Sequence, residues 1–401
     1  MSDVKTANRK SNANLDDLVQ PTHDEYARQR FVGALRNHAM ANMRETMRGH
    51  FESEVKPSFE RRTGRVLGTS KDIERVMKRN PYFRFYSAIR YNAQEMVWLS
   101  VQEPIERVLP DLIALASDVA QRNPAGGSLK LNPDMEIPRY VTAQDVHLVP
   151  GCFHSEFTQN DVAQGAVMSA GGRVSTSANV HRKDNPGGVA NAIGYWLTRR
   201  YPDFKPRRIL DLGTSSGKNL IPYLDYFPGV QAYGIDVSAP LLRYGHARAE
   251  QNGQVVHFSQ QNAERPDFAD GHFDLIVSSF FFHEIPVPAT KRILAQCFRM
   301  LAPGGMMVHM ELPPHKLCDP WRNFAWDWDT KNNNEPSYTA FRSQDLLALC
   351  ESAGFAPDAS FEVHIPDIAS FGEERFNRFL NGEIQAPQHG KGSWFVFGAR
   401  K

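Results

Sequence analysis

From residue 25 to 122 the apolar positions recur three and four apart: Tyr86, Ile89, Ala93, Met96 and Val97 share one helical face, and Ile105, Val108, Leu112, Ile113 and Ala116 share another. This spacing predicts a helical N-terminal domain over 25–127, with Pro110 near a helix start or at a kink and "RNPAGG" (122–127) as the stop. Residues 1–24 are polar and aperiodic, which predicts a flexible tail. Residues 128–187 are irregular and rich in small and turn-forming types, a linker or lid. From 188 to 401 the pattern changes to apolar runs alternating with amphipathic stretches: "RILDLG", "QAYGID", "VVHFSQ", "FDLIVSSF" and "GMMVHMEL" with helices between, then "FEVHIP" and "SWFVFGAR". That alternation predicts an α/β fold, a doubly wound parallel sheet whose ligand lies across the carboxyl ends of its strands. An aromatic-rich insertion covers 315–342.

Composition narrows the partners. Lys plus Arg (46) nearly cancels Asp plus Glu (45), so the chain lacks the basic field that a nucleic-acid surface needs, and a small-molecule partner is expected. Cys152, Cys297, Cys318 and Cys350 match neither a disulfide framework nor a paired metal-ligand spacing; no metal and a reducing cytoplasm are the expectations. No apolar run is long enough for a membrane helix.

The first strand of the sheet runs into Asp211-Leu212-Gly213-Thr214-Ser215-Ser216-Gly217, a strand end and tight turn. Gly213 and Gly217 permit backbone angles or close approaches that a Cβ would obstruct. Asp236 ends the next strand, where a carboxylate can accept both hydroxyl protons of a ribose, so a nucleoside-containing ligand is expected. Ser215 occupies the position where a dinucleotide fingerprint needs a glycine to approach a pyrophosphate, and no third glycine follows at the required offset. S-adenosylmethionine, which has no phosphate, suits this loop better.

At these residues the chain, over roughly 188–401, resembles the class I S-adenosylmethionine-dependent methyltransferases. The family's Asp/Glu-x-Gly-x-Gly-x-Gly motif is similar to Asp211 to Gly217, its ribose-binding acid to Asp236, and its adenine-contacting position to Asn262. The resemblance implies a seven-stranded Rossmann-like sheet with an antiparallel last strand. It also implies a cofactor site made of Asp211, Gly213, Thr214, Ser215, Gly217, Asp236, Val237, Asn262, Ala263 and Ser279.

Methyl transfer is an in-line displacement, so the protein must align donor and acceptor and deprotonate an acceptor hydroxyl. His283 follows the fourth strand and Phe280-Phe281-Phe282, and "FFFHEIPVPATKRIL" resembles small-molecule O-methyltransferases in which a His at this place is the base. His283 is therefore the candidate catalytic residue, with Phe282, Glu311, Trp326 and Trp328 the candidate substrate contacts and Glu284 a candidate orienting group. His309 reads as a core histidine. The expected activity is methylation of a small organic molecule, oxygen favoured. A non-methylating S-adenosylmethionine-binding protein and a nicotinamide-dependent oxidoreductase are the alternatives. A homodimer through the helical region is a further expectation.

Overall fold

In a computed structural model of the chain, residues 14–176 and 188–401 are described. The expected tail falls largely outside them, but its last part is built in. Leu15–Leu18 form a helical turn with Leu15 buried. Asp16 accepts hydrogen bonds from Ser169 (2.6 Å) and Tyr244 (2.7 Å).

The helical region begins with α1 (His23–Asn37), opened by a reciprocal cap between Thr22 and Glu25. Its backbone is α2 (Pro81–Arg122), a single 42-residue helix. Pro110, expected to start or kink a helix, lies inside it, as does Pro104. A proline removes the N–H that would bond the carbonyl four residues earlier. For Pro104 that carbonyl is Ser100, and the Gln29 side chain of α1 donates to it at 3.1 Å, so packing between the two helices replaces the lost bond. The helix ends where "RNPAGG" predicts, with Asn123 left-handed (φ 45°). The backbone N–H groups of Ala125 and Gly127 then donate to the Glu250 carboxylate.

The described part of the stretch expected to be linker holds four elements, two of them the short turns Arg139–Thr142 and Val146–Leu148. β1 (Ser128–Lys130) pairs with the sheet edge, and α3 (Ala163–Thr176) is a 14-residue helix packed into the helical core. The glycines that suggest a loop there serve close packing. A Cβ on Gly165 would sit 2.2 Å from Tyr244, and one on Gly171 2.4 Å from Trp98. The remainder of that stretch, 177–187, lies outside the described residues.

The second half comprises α4 (Val189–Arg200), β2 (Arg208–Leu212), β3 (Gln231–Asp236), α5 (Ala239–Gln251), β4 (Val256–Gln260), β5 (Phe273–Ser279), α6 (Val287–Met300), β6 (Leu301–Glu311), α7 (Pro320–Lys331), α8 (Leu346–Ser352), β7 (Ser360–Pro366) and β8 (Ser393–Arg400). These strands form one sheet in the order β1-β4-β3-β2-β5-β6-β8-β7, eight strands where seven were expected. The surplus strand is β1, in register with β4 through Leu129 and Phe258. The others run parallel except β8, antiparallel to both β6 and β7, as expected of the last strand. Strands buried on both faces carry continuous apolar runs, and separate clusters fill the two sides, one around Ile193, Trp196 and Leu275, the other around Ile276, Ile293 and Leu294. The switch in winding direction falls between β2 and β5, which opens a crevice at their carboxyl ends.

Candidate active site

The loop after β2 is built as its glycines predict. Gly213 (φ 64°), Ser215 (φ 52°) and Gly217 (φ 75°) are left-handed, and a Cβ on Gly213 would lie 2.4 Å from the Phe281 ring. Ser215 pays for a conformation glycine adopts freely, about 1–3 kcal/mol. Its N–H donates to Asp236 Oδ2 at 2.8 Å, and Ser238 N–H donates to Oδ1 at 2.9 Å. Each carboxylate oxygen thus holds one backbone donor and keeps lone-pair capacity for another.

Around this loop a cavity of about 890 Å³ crosses the carboxyl edge of the sheet. Asp211, Gly213, Thr214, Ser215, Asp236, Val237, Asn262, Ala263 and Ser279, all expected cofactor residues, line it; Gly217 does not, and its left-handed turn is fixed by Phe258, 2.7 Å from where a Cβ would be. Asn262 Oδ1 accepts the Glu264 N–H (2.9 Å), which commits the amide oxygen to its own turn. Among the described residues neither Asp211 nor Asp236 is in an ion pair. Burial pushes the Asp211 carboxyl up to about 7, with Asp236 adding to the rise, and burial raises Asp236 as well. Acids held uncompensated in a cleft are groups awaiting donors or a cation. The donor set fits an adenosine bearing an ammonium and a sulfonium.

The acceptor-side expectations are corrected by packing. Phe282 is fully buried against Phe341 and His309. Glu311, wholly buried, accepts the N–H groups of Phe281 (2.8 Å) and Phe282 (2.6 Å) and so shapes the turn after β5. Trp326 is buried, its ring between the guanidinium groups of Arg322 and Arg342, and Trp328 packs on Phe83 and donates to Ser87. None of these four lines the cavity; the insertion instead fastens to the helical region, clamped by the Arg90–Asp329 ion pair at 2.8 Å.

His283 does not line the cavity either. Its Nδ1 lies 2.5 Å from Glu311 Oε2 and its Nε2 3.4 Å from Glu284 Oε1. Burial alone would lower its pKa, but the Glu311 and Glu284 carboxylates outweigh it and hold the ring well above its ordinary value. His309 is the core histidine expected, bonded to Ser278 and driven down to about 3 by burial.

Sequence reasoning missed the residues that complete the cavity wall, because they come from the supposed linker: Tyr140, Val141, His147, Cys152 and Phe153. They join Phe280, Phe281 and Glu284. His147 faces two carboxylates, Nε2 at 2.8 Å from Glu284 and Nδ1 at 3.1 Å from Glu335. His147, Glu284 and Glu335 each bring a ligand atom within 4.8 Å of the others. However, the two ring nitrogens point to opposite carboxylates, so the imidazole bridges them in a hydrogen-bonded chain and does not converge with them on one ion.

Residues 209–305 match the family described as a methyltransferase domain. A demethylmenaquinone methyltransferase of Thermus thermophilus is 35% identical over 109 residues, 27% of this chain and 49% of that protein. A ubiquinone/menaquinone biosynthesis C-methyltransferase UbiE of Vibrio campbellii is 35% identical over 109 residues, 26% of this chain and 41% of that protein. The chain thus spans about half the length, or less, of these relatives. A solved structure of Haemonchus contortus phosphoethanolamine N-methyltransferase 2 in complex with S-adenosyl-L-methionine is similar at 18% identity and a TM-score of 0.38, covering 56% of this chain and 55% of that one. Among the described residues no helix is long and apolar enough to cross a membrane. The matched segment holds the glycine loop, the acid at the end of β3 and the strands that frame the crevice, and it makes residues 209–305 a methyltransferase domain of the class I S-adenosylmethionine-dependent family.

Proposed function

We propose that the chain is an S-adenosylmethionine-dependent methyltransferase acting on a small organic acceptor with an ionisable hydroxyl. The observation that carries this reading is the single cavity joining two chemically different walls: Asp211, the 213–216 loop and Asp236 on one side, Phe153, Phe280, Phe281, Glu284 and His147 on the other. When bound, S-adenosylmethionine supplies a methyl group on a sulfonium that departs as a neutral thioether. The chain's own residues then have three tasks. Asp236 and Asp211 hold the polar ends of the donor; Phe281, in contact with the Gly213 loop, fixes the distance between the two walls; and the aromatic wall excludes water around a flat acceptor. His283 acts through Glu284, holding it in place from the Glu311 side.

Loss of the hydroxyl proton from a phenol or enol puts negative charge on oxygen and on the adjacent carbon. Transfer to oxygen is the first reading. Transfer to carbon is the second, favoured by relatives whose printed names are C-methyltransferases of quinone biosynthesis. Incubation with S-adenosylmethionine and phenols or hydroquinones tests both: S-adenosylhomocysteine should form with a product one methyl heavier, whose proton NMR methyl shift separates oxygen from carbon. A chain that binds the donor yet methylates none of these acceptors contradicts the acceptor class; one that does not bind it contradicts the reading as a whole.

A further inference from the structure

Beyond the cofactor loop, the feature with the most unassigned chemistry is a buried row of alternating acids and imidazoles: Glu311, His283, Glu284, His147 and Glu335, with successive contacts of 2.5, 3.4, 2.8 and 3.1 Å. Of these five, only Glu284 and His147 line the cavity. We infer that His147 is the base that removes the acceptor's proton and that Glu335 is the positioning residue that orients its ring. The inference rests on the methyltransferase reading and names the group that performs its deprotonation.

Three independent features support it. First, the two edges of the His147 ring differ. Nδ1 faces the Asn333 amide at 2.6 Å and Glu335 at 3.1 Å, both buried and outside the cavity wall, whereas Nε2 faces Glu284, which shares that wall with His147. Nδ1 is thus engaged on the side away from the cavity, which leaves Nε2 as the working nitrogen. Second, His147 sits on backbone that non-glycine residues avoid: His147 and Leu148 are both left-handed, at φ 57° and 59°. The conformation is pinned from outside, since the His147 carbonyl accepts from Trp98 Nε1 (2.7 Å) and Gln94 Nε2 (3.3 Å) of α2, and Asn334 donates to the Asp145 carbonyl (2.7 Å). Strained residues held this firmly cluster at working sites. Third, Glu284 carries an unmet acceptor beside the working nitrogen: its Oε1 contacts both His147 and His283, while its Oε2 is buried without a hydrogen-bond partner in the same cavity wall, where an acceptor hydroxyl can donate.

The step balances. The acceptor O–H bond breaks and an N–H bond forms at His147 Nε2; the acceptor's oxygen or adjacent carbon bonds to the methyl; the electrons of the carbon–sulfur bond leave on sulfur. The proton passes from His147 to solvent before the next turnover. The groups facing the ring are Glu284, with His283 behind it, from the turn after β5; Asn333 and Glu335, with Asp329 behind them, from the stretch after α7; and Phe153 from its own segment, while Gln94 and Trp98 of α2, with Arg90 beside Gln94, hold the His147 carbonyl. The two carboxylates outweigh burial and raise His147 to about 9.

The test uses the full chain with S-adenosylmethionine and phenol as probe acceptor, with turnover followed as S-adenosylhomocysteine formed between about pH 6 and pH 10, because only the neutral His147 ring can take the acceptor's proton. Turnover should fall about tenfold for each pH unit below 9, where His147 carries a proton of its own. H147Q should lose that pH dependence, and about tenfold or more of the turnover at pH 9, while binding S-adenosylhomocysteine as before by calorimetry, which also reports that it is folded. In E335Q the His147 imidazole NMR signal, identified by its loss in H147Q, should titrate about one pH unit or more below its wild-type midpoint. No turnover of phenol in the wild type, a pH profile that survives in H147Q, or an unmoved titration in E335Q overturns the assignment. Failure to bind S-adenosylhomocysteine would instead bring down the methyltransferase reading beneath it.

Discussion

Asp211→Asn should move stability and cofactor affinity in opposite directions. The Asp211 carboxyl is buried among strands, and its pKa rises from 3.8 to about 7 because the interior disfavours its charge. A group with a raised folded pKa opposes folding wherever the unfolded chain is ionised and the folded chain resists ionisation. That penalty is absent below 3.8, grows as pH rises, and is complete above 7. The gap of about three pH units, at about 1.4 kcal/mol per unit, sets the penalty near 4 kcal/mol at pH 8.5. An amide of the same shape carries none of it. Thermal unfolding of the variant at pH 8.5 should therefore occur several degrees higher than that of the parent chain, and the gain should fade until the two coincide near pH 4. Calorimetric titration should show the reverse for the ligand. Without the anion, the ammonium of S-adenosylmethionine loses a charge-assisted contact of about 1.5–3 kcal/mol, so Kd should rise about 10- to 100-fold. Equal stability at pH 8.5, or a stabilised variant that binds the cofactor as tightly as before, would refute the reasoning.

Other perturbations address separate parts of the site. Gly213→Ala puts a Cβ 2.4 Å from the Phe281 ring at a left-handed φ of 64°, and should weaken S-adenosylmethionine binding at least ~10-fold by calorimetry. His147, raised to about 9, stabilises the fold fully below its ordinary 6.5 and loses that contribution as pH climbs through 9; thermal scans should show an alkaline decline that is absent from H147Q. Trp326→Ala, which removes a ring packed between Arg322 and Arg342, should cost about 3 kcal/mol in denaturant unfolding and leave cofactor Kd unchanged; an altered Kd would return the insertion to the binding site.

The sheet was legible because each strand of the second half is an apolar run of its own, and the cofactor loop because left-handed backbone and close approach at Gly213 demand glycine. β1 was not: "SLK" is too short to show alternation, and its place depends on Glu250 holding the preceding turn against the sheet edge. Helix α3 was hidden by glycines whose purpose is contact with Tyr244 and Trp98, a tertiary reason that outweighs their weak helical preference. Trp328 of α7 announced a binding wall by type alone, yet its partners Phe83 and Ser87 lie more than 200 positions earlier, in α2. His283 was found at its position, but its carboxylate partners turn it inward. His147 carries no local signal, since Glu284 and Glu335 reach it from distant segments and only the fold assembles them.

Every role assigned to the site depends on the ligand of the Ser215 loop. Calorimetric titration of the full chain with S-adenosylmethionine, S-adenosylhomocysteine and NADH tests this most directly. It should show the first two binding with one site per chain and NADH producing no heat of binding. Tight NADH binding with no response to either adenosyl sulfur compound would contradict it.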